Sequence, residues 1–472
     1  MEQNRYDAII IGAGPAGIFT ALELTAKKPD AKILIIDQGR NLASRTCPAR
    51  KLGYCVHCDP CAIVNGWAGA GAFSDGKLSL NDEVGGHINE YVGHEKAMEL
   101  IHDADQYYLK FGATEEVFGQ NDPRVDEIAY ECSKYNIHLV ECPVRHLGTE
   151  RALSVLIGMH DYLVGKTNTT FLELTTAHDI LKEGNKVVGV KIQTRGKEEE
   201  TVYSNHIVVA PGRGGADWLA KQAKQLGLIN TNNEVDIGVR VECPNSVMDR
   251  LTKVLYEAKL VYYADTYENK VRTFCMNPGG VVSEEHYEGG LAVVNGHSYG
   301  DTKLWTKNTN FAVLVSTKFT EPFHEPIEYG QYIAKLANML TGGPIMVQRL
   351  GDLLKGRRTT PSRLAKSTTI PTLKTAVPGD LSFVLPHRQL TCIVEALKAF
   401  DKVAPGLYSK NTLLYGVEVK FYSSKIKVDN KFMTDIDGLY AIGDGAGVTR
   451  GLMQASATGV SVARDIAEKL SK

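Results

Sequence analysis

The stretch Tyr6-Asp7-Ala8-Ile9-Ile10-Ile11 followed by Gly12-Ala13-Gly14-Pro15-Ala16-Gly17 decides the fold. A continuous apolar run bounded by glycine reads as a buried parallel strand. The apolar pattern over 16–27 reads as a helix, and Lys32 to Ile36 as a second strand ending in Asp37. Together they predict a βαβ unit whose first turn carries G-x-G-x-x-G, the dinucleotide fingerprint. Gly12 serves the sharp turn, Gly14 lets backbone approach a pyrophosphate, and Gly17 lets helix and strand pack closely. The helix start at Pro15 and Ala16 presents unpaired N–H groups to phosphate. Asp37, followed by Gln38, is placed to accept hydrogen bonds from ribose hydroxyls.

Working outward, Thr434–Asp444 reads as a strand ending in Gly443-Asp444, then a tight turn through Ala446 and a helix after Gly451 and Leu452. It resembles the second signature of the two-motif FAD flavoproteins, in which the Asp binds the ribityl–phosphate part of FAD. The helix would aim its positive end at the flavin, where reduction builds negative charge. The middle segment HIVVAPGRGG, 206–215, with Ala210 and Gly212, resembles the third signature of the same proteins. No second strand–GxGxxG–helix unit is found. That argues against a dedicated NAD(P)H domain, though not against NAD(P)H visiting the flavin directly.

GAGAFSDGKL (69–78), Arg145-His146-Leu147-Gly148-Thr149, CMNPGGVV (275–282), VVNGHSY (293–299) and GVEVKFYSSKI (416–426) together resemble the uncharacterised FAD-dependent dehydrogenase family. That family is related in fold to the geranylgeranyl-reductase and p-hydroxybenzoate-hydroxylase flavoproteins. The resemblance implies FAD and redox chemistry, with Gly69, Ala70, Gly71, Ser74 and Asp75 beside the cofactor and Ala177 as a further contact. It also points to His146 as a candidate acid or flavin contact. The family's Gly-Glu-Gly-Ala-Gly and Tyr-Ala-Gly-Gly are replaced here by Gly443-Asp444-Gly445-Ala446-Gly447 and Val448-Thr449-Arg450-Gly451. Thr449 and Arg450 are therefore expected at the flavin as catalytic candidates.

The 472 residues include 45 glycines, above the usual ~7%, and nine cysteines. Four of the cysteines, Cys47, Cys55, Cys58 and Cys61, fall within 15 residues. C-x2-C-x2-C resembles bacterial ferredoxin ligand spacing, so a [4Fe–4S] cluster is the leading expectation. A four-cysteine zinc knuckle, a redox disulfide and plain thiols are the alternatives. Cys132, Cys142, Cys243, Cys275 and Cys392 read as ordinary.

A net charge of −2 argues against nucleic-acid binding by charge. No leader is evident, and no apolar run approaches the ~20 residues of a membrane span. The expectation is therefore cytoplasmic. The fold class expected is α/β: a Rossmann-like FAD/NAD(P)-binding domain with an inserted α+β substrate domain on an antiparallel sheet. Its expected pieces are 1–85, 146–225 and 426–472 for FAD, 86–145 for a helical cap region and 226–425 for substrate. The basic stretch Lys355, Arg357, Arg358, Arg363 and Lys366 reads as a solvated loop, or as a site for an anion or an acidic ferredoxin. The function expected is an FAD-dependent oxidoreductase passing electrons between a carrier (ferredoxin or NAD(P)H) and a small organic substrate. An FAD monooxygenase and a flavin electron carrier are the alternatives.

Overall fold

The computed structural model describes residues 4–48, 52, 56, 58–231, 234–287, 290–299, 301–319, 325–420 and 425–472. The chain divides into two units. The first comprises 1–116, 145–233 and 422–472, the second 117–144 and 234–421.

The first unit is built on a five-stranded parallel sheet, in the order Leu439–Ala441, Ile207–Val209, Ala8–Ile11, Ile33–Ile36, Thr169–Leu172. Its central strands are apolar at every position because both faces are covered. The helices Pro15–Lys27 and Leu452–Lys469 pack together backbone to backbone. A Cβ on Gly459 would lie 2.3 Å from the Ala16 carbonyl and 2.8 Å from the Thr20 amide.

Helix His94–Lys110 joins this pair. Tyr108 bonds Ser456 at 3.1 Å, and the Tyr107 hydroxyl donates to Glu23 at 2.6 Å. Arg464 donates to both Glu23 and Asp103. These polar contacts tie helix His94–Lys110 to the first unit, which takes in residues up to 116, where the sequence pattern suggested a substrate cap over 86–145. A three-stranded antiparallel meander, Thr175–Glu183, Lys186–Thr194 and Glu199–Tyr203, completes the unit.

The second unit is an eight-stranded sheet, antiparallel except for one edge pair, with Val235–Pro244 and Asn308–Thr317 as neighbouring central strands. Alternation along Val235–Pro244 sends Ile237, Val239 and Val241 into the apolar core. The alternate positions Asp236, Arg240 and Glu242 are buried polar groups. Arg240 grips Glu418 through two hydrogen bonds of 2.8 and 2.9 Å, and both side chains are fully buried. Cys132, Cys142, Cys243 and Cys392 are buried, and Cys275 is half-buried. In the basic stretch, Lys355, Arg357, Arg358 and Lys366 are exposed, and Arg357 pairs with the buried Asp352 at 2.8 Å.

Two stability outcomes follow. Gly459→Val forces the two helices apart, so urea unfolding should show a loss of about 1–3 kcal/mol. Burial alone would raise the Asp465 carboxyl, but donors from Lys431, Tyr440 and Lys469 hold it down at about 2. A depressed carboxyl stabilises the fold above its unfolded value and loses that contribution as pH falls through the folded one. Asp465→Asn should therefore be less stable than wild type at pH 7, with the gap closing between the ordinary 3.8 and about 2. Thermal melts across that range measure it.

Candidate cofactor site

At the carboxyl ends of the parallel strands, segments distant in sequence meet through glycine. The chain leaves Ala8–Ile11 at Gly12, whose φ of +107° admits few other residues. A Cβ there would sit 2.0 Å from the Ala210 carbonyl, while one on Gly17 would sit 2.0 Å from the Gly12 carbonyl. Gly17 therefore serves the turn's own backbone as well as helix packing. Gly14 differs: a Cβ built on it meets no protein atom within 4 Å. It faces open space at the start of helix Pro15–Lys27, whose first N–H groups lack helical partners.

The other glycine segments converge on the same place. A Cβ on Gly69 would reach Gly14 at 3.3 Å, and one on Gly71 would lie 2.8 Å from Leu452 and 3.5 Å from Pro15. A Cβ on Gly443 would lie 3.3 Å from Ala16, and one on Gly445 would lie 2.4 Å from the Gly212 carbonyl. Gly12, Gly14, Pro15, Ala16, Gly69, Gly71, Ala210, Gly212, Gly443 and Leu452 are thus brought together. Ala446 is buried in the turn after Gly443, and Ala70 is half-buried beside Gly71. Two helix N-termini, at Pro15 and at Gly451–Leu452, open on this cluster.

Asp37 has a part the sequence did not disclose. Its Oδ1 accepts from the Gly39 and Gly66 amides at 2.8 and 2.7 Å, and its Oδ2 from the Ala13 amide at 2.9 Å. The carboxylate ties three chain segments together and keeps acceptor capacity on Oδ2. Gln38 donates to Asn65 at 2.6 Å. Ala177 lies on the meander strand whose first residue, Thr175, donates its amide to the Asp37 carbonyl at 2.9 Å.

The cysteine loop departs from expectation. Among the described residues no group of three or more His, Cys, Asp or Glu side chains is placed to hold a metal ion. Cys47 and Cys58 are half-buried, Cys61 is exposed, and Cys55 lies outside the described residues. The segment after Cys61 wraps instead around Arg45. The buried guanidinium donates to the carbonyls of Ala62 at 3.0 Å, Ile63 at 2.8 Å, Gly69 at 2.9 Å and Trp67. Burial pulls this guanidinium down to about 10, with the charges of Asp37 and Cys61 opposing the fall. The described cysteines do not fit a cluster or a zinc ion, and no chemistry is assigned to either.

The three catalytic candidates occupy distinct settings. Thr449 is buried and donates its hydroxyl to Asp444 Oδ1 at 2.7 Å, so it orients that carboxylate. Arg450 is half-buried on the turn into the C-terminal helix, and its amide donates to the Gly85 carbonyl at 2.8 Å. His146 is half-buried on strand Val144–His146, and the next amide, of Leu147, donates to the Gly76 carbonyl. That places His146 at the far end of the glycine run. Ser74 folds back on the Gly71 carbonyl, and Asp75 pairs with Lys77 at 3.0 Å.

Sequence reasoning missed Arg45, Trp67, the Gly85-Gly86-His87 segment and Gln454. Gln454 donates to the carbonyls of Asp82 at 2.7 Å and Val84 at 3.1 Å, and accepts from the Ile88 amide at 3.1 Å. It thereby docks the 82–88 loop against the helix start. A Gly-Gly pair so soon after the long glycine run was the available signal.

Residues 234–421 match the family model described as "FAD-dependent protein, C-terminal domain-like". An uncharacterized protein of Clostridium beijerinckii is 28% identical, over 99% of this chain and 82% of the other. Among solved structures, quinol fumarate reductase FrdA of E. coli aligns at 13% identity and a TM-score of 0.42, covering 99% of this chain and 71% of that one. Formate oxidase of Aspergillus oryzae aligns at 10% identity and a TM-score of 0.46, covering 100% and 99%.

Gly14 provides a test that separates binding from folding. Gly14→Val adds atoms only to open space, so thermal stability should stay within about 1 kcal/mol while dinucleotide binding is lost. Gly17→Val collides with the Gly12 carbonyl and should lower both. Thermal melts and cofactor content of the two variants check the contrast.

Proposed function

We propose that this chain is an FAD-dependent oxidoreductase that passes electrons between a carrier and a small organic substrate. The observation that carries the reading is the convergence of glycines from four segments on two helix N-termini, with Gly14 facing open space. The match of residues 234–421 to a domain of FAD-dependent proteins supports it. The donor set fits an extended, doubly phosphorylated dinucleotide: bare backbone amides, small residues and no competing side chain at Gly14.

In this reading the backbone of 12–17 and the start of helix Pro15–Lys27 hold the pyrophosphate. Asp37, Gln38 and Ala177 border the adenosine end. Asp37 offers the remaining Oδ2 lone pair to a ribose hydroxyl. Asp444, oriented by Thr449, accepts from the ribityl hydroxyls. Gly69–Gly71, Arg450 and the N-terminus of helix Leu452–Lys469 border the flavin end. When bound, FAD supplies hydride and single-electron chemistry at N5. The glycine segments bring backbone close enough to exclude water from that end. Arg450 and the helix terminus favour negative charge there.

Purified protein should release stoichiometric FAD on heating, identified by chromatography. Anaerobic titration with NADH, NADPH and reduced ferredoxin should bleach the flavin with one donor class. Protein that neither retains FAD nor takes it up on reconstitution overturns the proposal. Rapid, NAD(P)H-dependent hydroxylation in air would replace it with a monooxygenase.

A further inference from the structure

The 82–88 loop carries the most developed titratable cluster outside the residues assigned above. Gly86 forms an antiparallel bridge with Thr449, and the His87 amide donates to the Val448 carbonyl at 3.2 Å. A Cβ on Gly85 would lie 3.4 Å from Gly451 Cα. Backbone pairing thus fixes His87 beside the turn that leads into helix Leu452–Lys469. Its Nδ1 lies 3.0 Å from Glu90 Oε1, and the other Glu90 oxygen accepts from Lys425 Nζ at 2.8 Å. A carboxylate already held by a lysine makes Nδ1 the protonated nitrogen and leaves the lone pair on Nε2.

We propose that His87 is a redox-linked proton acceptor, taking up a proton from solvent when FAD bound at this site is reduced. The inference rests on the FAD reading above. The groups facing the imidazole are Glu90 on the short helix Ile88–Val92 that follows it, Arg450 on the turn and Lys425 on strand Lys425–Ile426. Burial first, and then the Arg450 charge, hold the imidazole below its ordinary 6.5, so it is neutral and vacant at neutral pH. Reduction brings two electrons from the donor and one proton to flavin N5, leaving one negative charge on the reduced flavin. That charge offsets Arg450 and raises the proton affinity of His87. A second proton then moves from water to Nε2, and the pair has gained two electrons and two protons.

The sign follows from the two states. Between the lowered value in the oxidised protein and the raised value in the reduced one, each two-electron reduction takes up two protons; above that window it takes up one. Potentiometric titration of the FAD-loaded protein with dithionite and mediator dyes, repeated across pH, reads this directly. Within the window the slope of midpoint potential against pH should be twice that of His87→Gln. Glu90→Gln keeps the imidazole but removes its negative neighbour, and should move the window to lower pH. FAD-loaded protein whose slope is the same in wild type and His87→Gln, or whose window is unmoved in Glu90→Gln, overturns the proton role and leaves the FAD reading standing. Protein that takes up no FAD overturns both.

Discussion

How closely backbone can approach backbone governs the carboxyl end of the parallel sheet. Four contacts there leave no room for a β-carbon: Gly12 on Ala210, Gly17 on Gly12, Gly445 on Gly212, and Gly459 on Ala16. The last sets the separation of helices Pro15–Lys27 and Leu452–Lys469, and with it the distance between their N-termini. Once those helices touch, the three turns between them must be made of residues without bulk. The glycine excess in the composition is therefore largely a geometric requirement of one small region. Gly14 and Gly212 differ from these four, because a β-carbon built on either meets no protein atom within 4 Å.

Two charged side chains hold the loops that frame this region, each by engaging backbone. Asp37 collects amides from Ala13, Gly39 and Gly66; Arg45 collects carbonyls from Ala62, Ile63, Trp67 and Gly69. One anion gathers donors and one cation gathers acceptors, so the polar backbone of an irregular loop is satisfied without secondary structure. Trp67 anchors the same loop from the other side, its indole N–H donating to the Leu156 carbonyl at 3.0 Å.

The first βαβ unit was legible because periodicity and glycine spacing are local signals; the strand, turn and helix lie within two residues of expectation. The C-terminal strand and helix were equally legible, and the antiparallel sheet of the second unit agrees with the fold class expected for it. The division of 86–145 was not. Helix His94–Lys110 looks the same in sequence whether its apolar face meets a substrate domain or helix Leu452–Lys469, some 350 residues later in the chain. The cysteine spacing is ambiguous for a related reason. A tight turn round a small charged object leaves the same trace of Gly, Pro and short spacing whether the object is a cluster or a guanidinium. Thr449 was expected at the flavin, but a sequence does not show that its hydroxyl reaches back five residues to Asp444.

The glycine cluster draws on residues near 12, 69, 212, 443 and 451, so its last contributors emerge from the ribosome more than 400 residues after its first. During synthesis, which runs at roughly 5–20 residues per second, the opening βαβ unit waits tens of seconds for the helix that covers it. In that interval the apolar face of helix Pro15–Lys27 and the edge of a partial sheet are uncovered. Residues 234–421, contiguous but for one short excursion, are complete before the first unit can close. Closure of the glycine cluster is therefore a late event in the life of each chain, and a nascent chain halted before residue 452 holds a finished second unit and an open first one.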